Sequence, residues 1–162
     1  MRVVNGWRAP RWVQVWMLAA TRAGDGWLWW GIGTIVLIFG GPLRFRAIAA
    51  AVLAAGVGIL LFRQVKKATG RKRPGTYGPH CWADLLPPDQ FSFPSGHTIT
   101  AFAVSVSLSI FYPSVAVGLL FCALSVAASR IVLGMHFLSD VLAGSAIGIL
   151  LAFAATRIVA LL

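Results

Sequence analysis

Apolar residues are grouped in four long runs that contain no Asp, Glu, Lys or Arg, at residues 26–43, 47–62, 98–129 and 141–156. As a single helix the third run would be about 48 Å long at about 1.5 Å per residue, well beyond a hydrocarbon core of about 30 Å. It must therefore fold back, and Pro113 marks the place, because proline lacks a backbone donor and disfavours helix in the residue before it. The pattern predicts an all-α, polytopic membrane helical bundle with about five transmembrane helices.

The N-terminal segment has a different pattern. The stretch between Arg11 and Arg22 offers only ten positions, most of them apolar, too few for a span of about 20 residues. We therefore interpret residues 1–25 as an interfacial segment whose helix lies on the bilayer, with a sixth span or a signal peptide as the alternatives. Trp27, Trp29 and Trp30 then open the first span as an aromatic belt at headgroup level.

Composition agrees with a membrane protein and excludes a soluble domain. Hydrophobic residues make up 59% of the 162 positions and charged residues 11%, against about 25% charged in an average soluble domain. The net charge of +10 lies beside membrane segments, so we expect the partners to be the phospholipid bilayer and its anionic headgroups and not nucleic acid.

The chain is predicted to be one domain over residues 1–162, with one sizeable loop at residues 64–94. This loop is rich in Gly and Pro, which favours irregular structure, and non-helical backbone cannot face lipid. Cys81 lies in the loop and Cys122 within a span, so a disulfide is not expected and no metal-ligand spacing is present.

His136 and Asp140 are four residues apart where the last span begins, a spacing that places two side chains on one face of a helix. A carboxylate bonded to one imidazole nitrogen fixes the tautomer and leaves the other nitrogen free to attack. The plainer alternative is a helix-terminal histidine whose Asp merely caps or pairs. Ionisable residues in membrane helices indicate function by default, and this favours the catalytic interpretation.

Residues 94–97, with the sequence Pro-Ser-Gly-His, stand where the third span begins. Free backbone donors and the helix dipole favour an anion there. Gly96 permits close approach of the backbone, and Ser95 either contacts the anion or caps the helix. His97 has no evident capping duty and can give a proton to a departing oxygen.

Three cations complete the candidate site. Lys66, Arg73 and Arg130 are suited to phosphoryl oxygens, and phosphoryl transfer is catalysed largely by positioning and charge stabilisation. The plainer alternative, positive charge that anchors a cytoplasmic loop, accounts for Lys67, Arg71 and Lys72, and it could account for Lys66 or Arg73 individually. With alternating spans, all candidate residues fall on one face of the membrane, provided that the chain folds back at Pro113.

These residues resemble the three-part signature of the type-2 phosphatidate phosphatase superfamily, which is related to vanadium haloperoxidases. In the first part, six residues separate Lys66 from Arg73-Pro74, and residues 94–97 form the second part. In the third part, five residues separate Ser129-Arg130 from His136, and three more separate His136 from Asp140. All eleven positions match the signature in order and spacing.

The resemblance implies a metal-independent phosphatase without a cofactor. In such an enzyme His136 would attack phosphorus to give a phosphohistidine, with Asp140 orienting it, and His97 would protonate the leaving group. The phosphate would be held by the remaining signature residues, namely Lys66, Arg73, Ser95, Gly96 and Arg130.

The sequence therefore predicts an integral-membrane lipid phosphatase acting on a lipid phosphate or diphosphate, such as phosphatidic acid, phosphatidylglycerophosphate, an isoprenyl diphosphate or a lipid A phosphate. A phosphotransferase using the same residues is one alternative, and a non-catalytic phospholipid-binding protein is another. A metal hydrolase with His97, His136 and Asp140 as ligands is a third. A lateral opening between helices is expected to admit the lipid.

The orientation in a bacterial-type inner membrane follows from two opposing indications. Eleven cations share the predicted catalytic face, against Arg44, Arg46 and Arg157 opposite, and the positive-inside rule points such a face to the cytoplasm. Bacterial lipid phosphatases of the resembling superfamily commonly face the periplasm. Since several cations are needed for phosphate, we expect the periplasmic orientation.

Overall fold

A computed structural model describes residues 9–74 and 90–162 of the chain. Within them the chain forms six α-helices, in the order α1 Arg11–Ala23, α2 Trp27–Phe39, α3 Arg44–Thr69, α4 Gly96–Phe111, α5 Ala116–Val132 and α6 Leu138–Ala160. No strand occurs in these two ranges, only an isolated bridge between Lys72 and Phe91. The prediction of an all-α bundle is confirmed.

The third apolar run folds back where proline predicts. Helix α4 ends at Phe111, Tyr112 adopts a non-helical conformation with φ −130° and ψ 73°, and Pro113 opens a short 3₁₀ turn before α5. The Tyr112 hydroxyl donates a hydrogen bond of 2.9 Å to the carbonyl of Gly40, in the turn after α2. Two turns are thereby joined at the same end of the bundle.

Five of the six helices are apolar, and they differ in length. Three stretches are long and apolar enough to cross a membrane, at Gly41–Thr69, Pro113–Val132 and Leu138–Ala160. Helices α2 and α4 have 13 and 16 residues, which correspond to about 20 and 24 Å. The number of apolar helices agrees with the predicted bundle, while α2 is shorter than its uncharged run because the Gly40-Gly41-Pro42 sequence ends it.

The outer surface of the long helices is apolar. Val117 of α5 is 83% exposed and Leu150 of α6 is 68% exposed, and many other large hydrophobic side chains point outwards as well. A surface of this kind is not tolerated in water over so large an area, whereas helices with internally bonded backbones suit lipid. The chain is a multi-pass membrane protein.

Helix α4 lies at the centre of the bundle and packs against α3, α5 and α6. Its approach to α6 depends on glycines. A Cβ atom added to Gly144 would lie 2.8 Å from the Ser95 carbonyl oxygen, and one added to Gly148 would lie 2.6 Å from that of Ile99. Because α6 has no side chain at these positions, its backbone can contact the N-terminal half of α4 directly.

Helix α1 packs against α5 and the turn that follows it. Met17 is buried in a cluster with Leu133 and Met135, and the rings of Trp16 and Phe121 stack with centroids 5.7 Å apart. The helix thus belongs to the described bundle. Its position along the bilayer surface stays a prediction, and residues 1–8 of the expected interfacial segment lie outside the described residues.

The predicted loop at residues 64–94 is described at its two ends. The backbone N–H of Ser92 donates to the Arg71 carbonyl at 2.8 Å, and the Ser92 hydroxyl donates to the Lys72 carbonyl at 3.2 Å. These bonds bring the chain after α3 and the chain before α4 side by side. Residues 75–89, including Cys81, lie outside the described residues.

Candidate active site

His136 lies in the turn between α5 and α6. Gly134 has a φ of 67°, a left-handed conformation that glycine adopts without strain, and the backbone N–H of His136 donates to the Arg130 carbonyl at 3.0 Å. Phe137 is extended and α6 starts at Leu138. The expectation that the helix itself presents His136 is therefore wrong in detail, since the turn places this residue immediately before the helix.

The His136 ring is almost fully buried, with 1% of the residue exposed. Its Nε2 atom lies 3.2 Å from Nη1 of Arg73. Its Nδ1 atom lies 3.6 Å from Oδ2 of Asp140, beyond the usual hydrogen-bond length, and has no hydrogen-bond partner among the described residues. Asp140 is thus adjacent to Nδ1, as the spacing suggests, but without a direct hydrogen bond.

Asp140 is fully buried and has two other partners. Its Oδ2 atom accepts a 2.8 Å hydrogen bond from the backbone N–H of Phe137, which caps the start of α6. Its Oδ1 atom accepts one of 2.8 Å from Nη1 of Arg71. The capping role considered from the sequence is present together with proximity to His136.

The sequence interpretation misses Arg71, which it assigns to the positive charge that anchors a loop. Besides its ion pair with Asp140, it donates to the Ser139 hydroxyl at 2.8 Å, and its guanidinium lies 4.4 Å from the centroid of the Phe137 ring. Arginine uses its planar donors and stacking surface together in this way. A basic run of similar residues carries no signal that would single out this one.

The three predicted phosphate-binding cations are buried. Lys66, Arg73 and Arg130 are 6%, 5% and 2% exposed. Lys66 lies in the last turn of α3, Arg73 donates to the Met135 carbonyl at 2.8 Å, and Arg130 donates from α5 to the hydroxyl of Thr21 in α1. Burying three cations is costly unless anionic groups compensate for them, and this concentration of positive charge favours an anionic ligand.

Ser95 and Gly96 begin α4 beside these cations. The Ser95 N–H donates to the Asp140 carbonyl at 3.1 Å, and its hydroxyl accepts from Thr98 at 2.8 Å, so it makes no side-chain cap. A Cβ atom on Gly96 would lie 3.0 Å from the Phe62 ring. Both residues therefore fix the start of α4 against its neighbours, at the end where the first N–H groups of a helix have no partner within it.

His97 faces the loop between α1 and α2. Its Nε2 atom lies 2.6 Å from Oδ1 of Asp25, and the side chain is 21% exposed. The sequence interpretation missed Asp25, which is separated from His97 by 72 positions. A signal was available, since the whole chain has only four acidic residues and this one stands between two glycines.

Burial keeps the His136 ring neutral. Loss of solvation, opposed by the Asp140 carboxylate and reinforced by the positive charges of Arg130, Arg73 and Lys66, lowers the pKa of His136 from 6.5 to about 4. An imidazole is a nucleophile only when one ring nitrogen is unprotonated. His136 is therefore in the reactive form at neutral pH.

One cavity of about 750 Å³ connects the site to the apolar helices. His97 and His136 both line it, as do all three buried cations. From there it continues between α2, α3 and α4, where its lining residues include Trp30, Gly33, Leu37, Val52, Ala55 and Leu108. Since Trp30 and Val52 are 79% and 65% exposed, the cavity borders the outer surface of the bundle.

The alternative of a metal site at His97, His136 and Asp140 is not supported by their arrangement. Within residues 9–74 and 90–162, no three His, Cys, Asp or Glu side chains lie close enough together to hold one metal ion. Asp140 is instead engaged by Arg71 and the start of α6, and His97 by Asp25.

Comparison with known proteins agrees with this arrangement. Residues 44–162 match the family model described as the PAP2 superfamily. Two curated relatives are named lipid A 1-phosphatase. The one from Rhizobium johnstonii is 37% identical over 55% of this chain and 38% of its own length. The one from Rhizobium etli is 30% identical over 71% of this chain and 58% of its own length.

A third relative is phosphatidylglycerophosphatase B of Bacillus subtilis, 32% identical over 63% of this chain and 53% of its own length. The chain thus spans between 38% and 58% of the length of these curated relatives.

Two solved structures are similar over nearly the whole chain. LpxE of Aquifex aeolicus has a TM-score of 0.80 and 26% identity, over 96% of this chain and 92% of that one. The PAP2-type phosphatidylglycerolphosphate phosphatase of Bacillus subtilis has a TM-score of 0.72 and 29% identity, over 97% and 81%.

Proposed function

Since this chain belongs to the PAP2 superfamily, we propose that it is an integral-membrane phosphatase that releases inorganic phosphate from a lipid phosphate or diphosphate. The observation that carries the proposal is a buried, neutral histidine, His136, which shares one cavity with three buried cations and a second histidine. A site that only bound phosphate would have no need of a nucleophile in this position.

In the proposed first step, Nε2 of His136 attacks phosphorus and forms a phosphohistidine. Arg73 is next to that atom, at 3.2 Å, and its fork is suited to two phosphoryl oxygens. Lys66 and Arg130 stabilise the charge that spreads over the equatorial oxygens. Asp140, 3.6 Å from Nδ1, favours the proton on that nitrogen and the positive charge that the ring gains.

His97 has the role of general acid in this scheme. It gives a proton to the leaving oxygen as the P–O bond breaks, and then takes one from the water that hydrolyses the phosphohistidine. The N–H groups of the first turn of α4, beginning with Gly96, bind phosphate oxygens with the help of the helix dipole, while the N–H of Ser95 is bonded to the Asp140 carbonyl.

The apolar part of the cavity supports a lipid substrate. Residues of α2, α3 and α4 line it from the cationic site to the middle of the bundle, so that a headgroup at the site can keep its chains among apolar side chains. The names of the relatives direct attention to a lipid A 1-phosphate and to phosphatidylglycerophosphate. Phosphatidic acid also carries a terminal phosphoryl group, on an ester oxygen, and an isoprenyl diphosphate carries one on an anhydride oxygen.

The test is release of inorganic phosphate from these four lipids by purified protein in nanodiscs, with His136→Ala as the inactive variant. Arg157→Gln, at the opposite end of the bundle, is the matched control. We expect turnover of at least one lipid, abolished by His136→Ala and retained by Arg157→Gln. Phosphate found on an added lipid acceptor instead of free in solution would identify a phosphotransferase, and binding without turnover of any lipid would contradict an enzyme.

We further propose that the site faces the periplasm, as expected from the resemblance. Exposed positions at the two ends of the bundle allow a test: Lys67→Cys near the site and Ser114→Cys in the turn after α4, each in a background without Cys81 and Cys122. A membrane-impermeant maleimide added to intact cells should label Lys67→Cys only. Labelling of Ser114→Cys only would place the site in the cytoplasm, as the charge count indicates.

A further inference from the structure

The loop between α1 and α2 brings a carboxylate to the site. Asp25 lies between Gly24 and Gly26, and its Oδ1 atom is 2.6 Å from Nε2 of His97. It lines the same cavity as His97 and His136. A carboxylate near bound phosphate is repulsive unless it has a specific partner, so its position calls for an explanation.

A local structural role does not explain Asp25. Helix α2 begins at Trp27 with Gly26 as its N-cap, and no side chain caps it. The chain that leads into the loop is instead attached to α5: Thr21 accepts a hydrogen bond from Arg130, and Gly24 packs against Val126, with 2.9 Å between an added Cβ and its Cγ1. These contacts hold the loop in the position where Asp25 meets His97.

Asp25 also lies outside the part of the chain that matches the family model. The family model matches residues 44–162, and none of the signature residues precedes Lys66. Thr21 and Asp25 therefore add contacts from the N-terminal segment to two signature residues, Arg130 and His97.

We propose that Asp25 is a positioning residue for the general acid: its carboxylate accepts the Nε2–H of His97 and leaves Nδ1 as the nitrogen that exchanges a proton with the substrate. This inference rests on the proposed phosphatase function. It gives the site two Asp–His pairs, one at the nucleophile and one at the acid.

The proton balance of the reaction follows from this arrangement. When His136 bonds to phosphorus, the electron pair of the breaking P–O bond stays on the leaving oxygen, which takes the Nδ1 proton of the His97 imidazolium. His97 is then neutral, with its remaining proton on Nε2 and shared with Asp25. In the second step Nδ1 takes a proton from water as the water oxygen bonds to phosphorus and the P–N bond breaks.

Leaving groups that differ in their need for a proton provide the test. Phenyl phosphate requires protonation of its leaving oxygen far more than 4-nitrophenyl phosphate does, and the two esters are similar in size. General acids contribute about 10²- to 10⁴-fold, so we expect Asp25→Asn to slow phenyl phosphate about 10-fold and 4-nitrophenyl phosphate less than about 3-fold. Arg22→Gln, a neutralisation at an exposed neighbouring position, should slow neither.

A double-mutant cycle separates positioning from a general structural effect. In a His97→Asn background, Asp25→Asn should change phenyl phosphate turnover less than about 2-fold, because the group it orients is gone. An equal loss for both esters, or a loss that persists in the His97→Asn background, would overturn the inference.

A second measurement does not depend on activity or on the folding of Asp25→Asn. The measurement is an NMR spectrum of wild-type protein labelled with ¹⁵N-histidine, in which the signals of the three histidines are assigned with the variants His97→Asn and His136→Ala. The Nε2 atom of His97 should carry a proton at every pH. An unprotonated Nε2 in the neutral ring would overturn the inference. Failure of the wild-type protein to release phosphate would instead refute the proposed function and leave this NMR result to decide on Asp25.

Discussion

Single side chains determine how the buried charges of the site are compensated. Asp140 has no exposed surface, yet it has both a backbone donor and the guanidinium of Arg71 at 2.8 Å. Since Arg71 is itself partly exposed, the ion pair is moderated by solvent. It nevertheless fixes the carboxylate that lies beside Nδ1 of His136.

We predict that Arg71→Gln lowers kcat for lipid phosphate about 3- to 10-fold, because a partly exposed charge-assisted hydrogen bond contributes about 1 kcal/mol. KM should change little, because Arg71 contacts Asp140 and is not among the residues that line the substrate cavity. Lys67→Gln, which neutralises an exposed position nearby, is the control. Equal kinetics for Arg71→Gln and the wild type would show that the ion pair is irrelevant to turnover.

The low pKa of His136 predicts a distinctive titration. In the ¹⁵N-histidine spectrum its ring should stay neutral as the pH falls and gain a proton near the value of about 4. In the unfolded chain the same histidine takes up its proton near pH 6.5. Protonation therefore favours the unfolded state, and the free energy of unfolding of the protein should decrease as the pH falls from 6.5 towards 4. A midpoint near 6.5 in the folded protein would contradict the burial of the ring.

Side chains with fixed sequence spacing were easier to identify than their partners. Lys66, Arg73, Arg130 and both histidines line one cavity, as expected from the alternation of spans. Arg71 and Asp25 could not be identified in the same way, because the sequence gives no distance between residues 69 or 72 positions apart. Their partners depend on the conformation of the segments between helices, which hydrophobic periodicity does not encode.

Helix packing follows from the small residues between α4 and α6. We predict that Gly144→Ala destabilises the protein by about 1–3 kcal/mol, because its Cβ would lie 2.8 Å from the Ser95 carbonyl oxygen. Thermal unfolding in detergent measures this, and turnover should fall because Ser95 lies at the end of α4 that is proposed to bind phosphate.

Gly118→Ala in α5 is the matched control for this prediction. Its added Cβ has no heavy atom within 4 Å, so the change should be neutral or stabilising by up to about 1 kcal/mol, since alanine has the higher helix propensity. Equal thermal stability of the two variants would show that α4 and α6 tolerate a wider separation.

The apolar runs predict the number of helices well and the helix boundaries less well. The turn at Pro113 was predictable because proline imposes it chemically. The start of α6 at Leu138, after His136, was not, since it depends on the turn at Gly134 and on the capping contact of Asp140. Helix α2 ends early for a similar local reason, a Gly-Gly-Pro sequence within an uncharged run.

Over the molecule as a whole, the cavity joins a polar end to an apolar interior. A substitution in the apolar part should therefore lower the turnover of lipid substrates without lowering that of small soluble phosphate esters. Gly33 lines the cavity, so Gly33→Leu should lower lipid turnover about 10-fold by occupying chain space, while phenyl phosphate turnover changes little. Gly31→Leu, on the same helix where an added Cβ meets nothing within 4 Å, should affect neither. Equal inhibition of both substrates by Gly33→Leu would argue against a lipid path here.

The central claim, that His136 becomes covalently phosphorylated, is tested most directly by rapid acid-free quenching with a ³²P-labelled lipid substrate, followed by mass spectrometric location of the label. The account predicts an alkali-stable, acid-labile phosphoryl group on His136 during turnover, absent from His136→Ala and retained by Arg157→Gln. Phosphate release by a His136→Ala protein at the wild-type rate, or a label located on another residue, would contradict it.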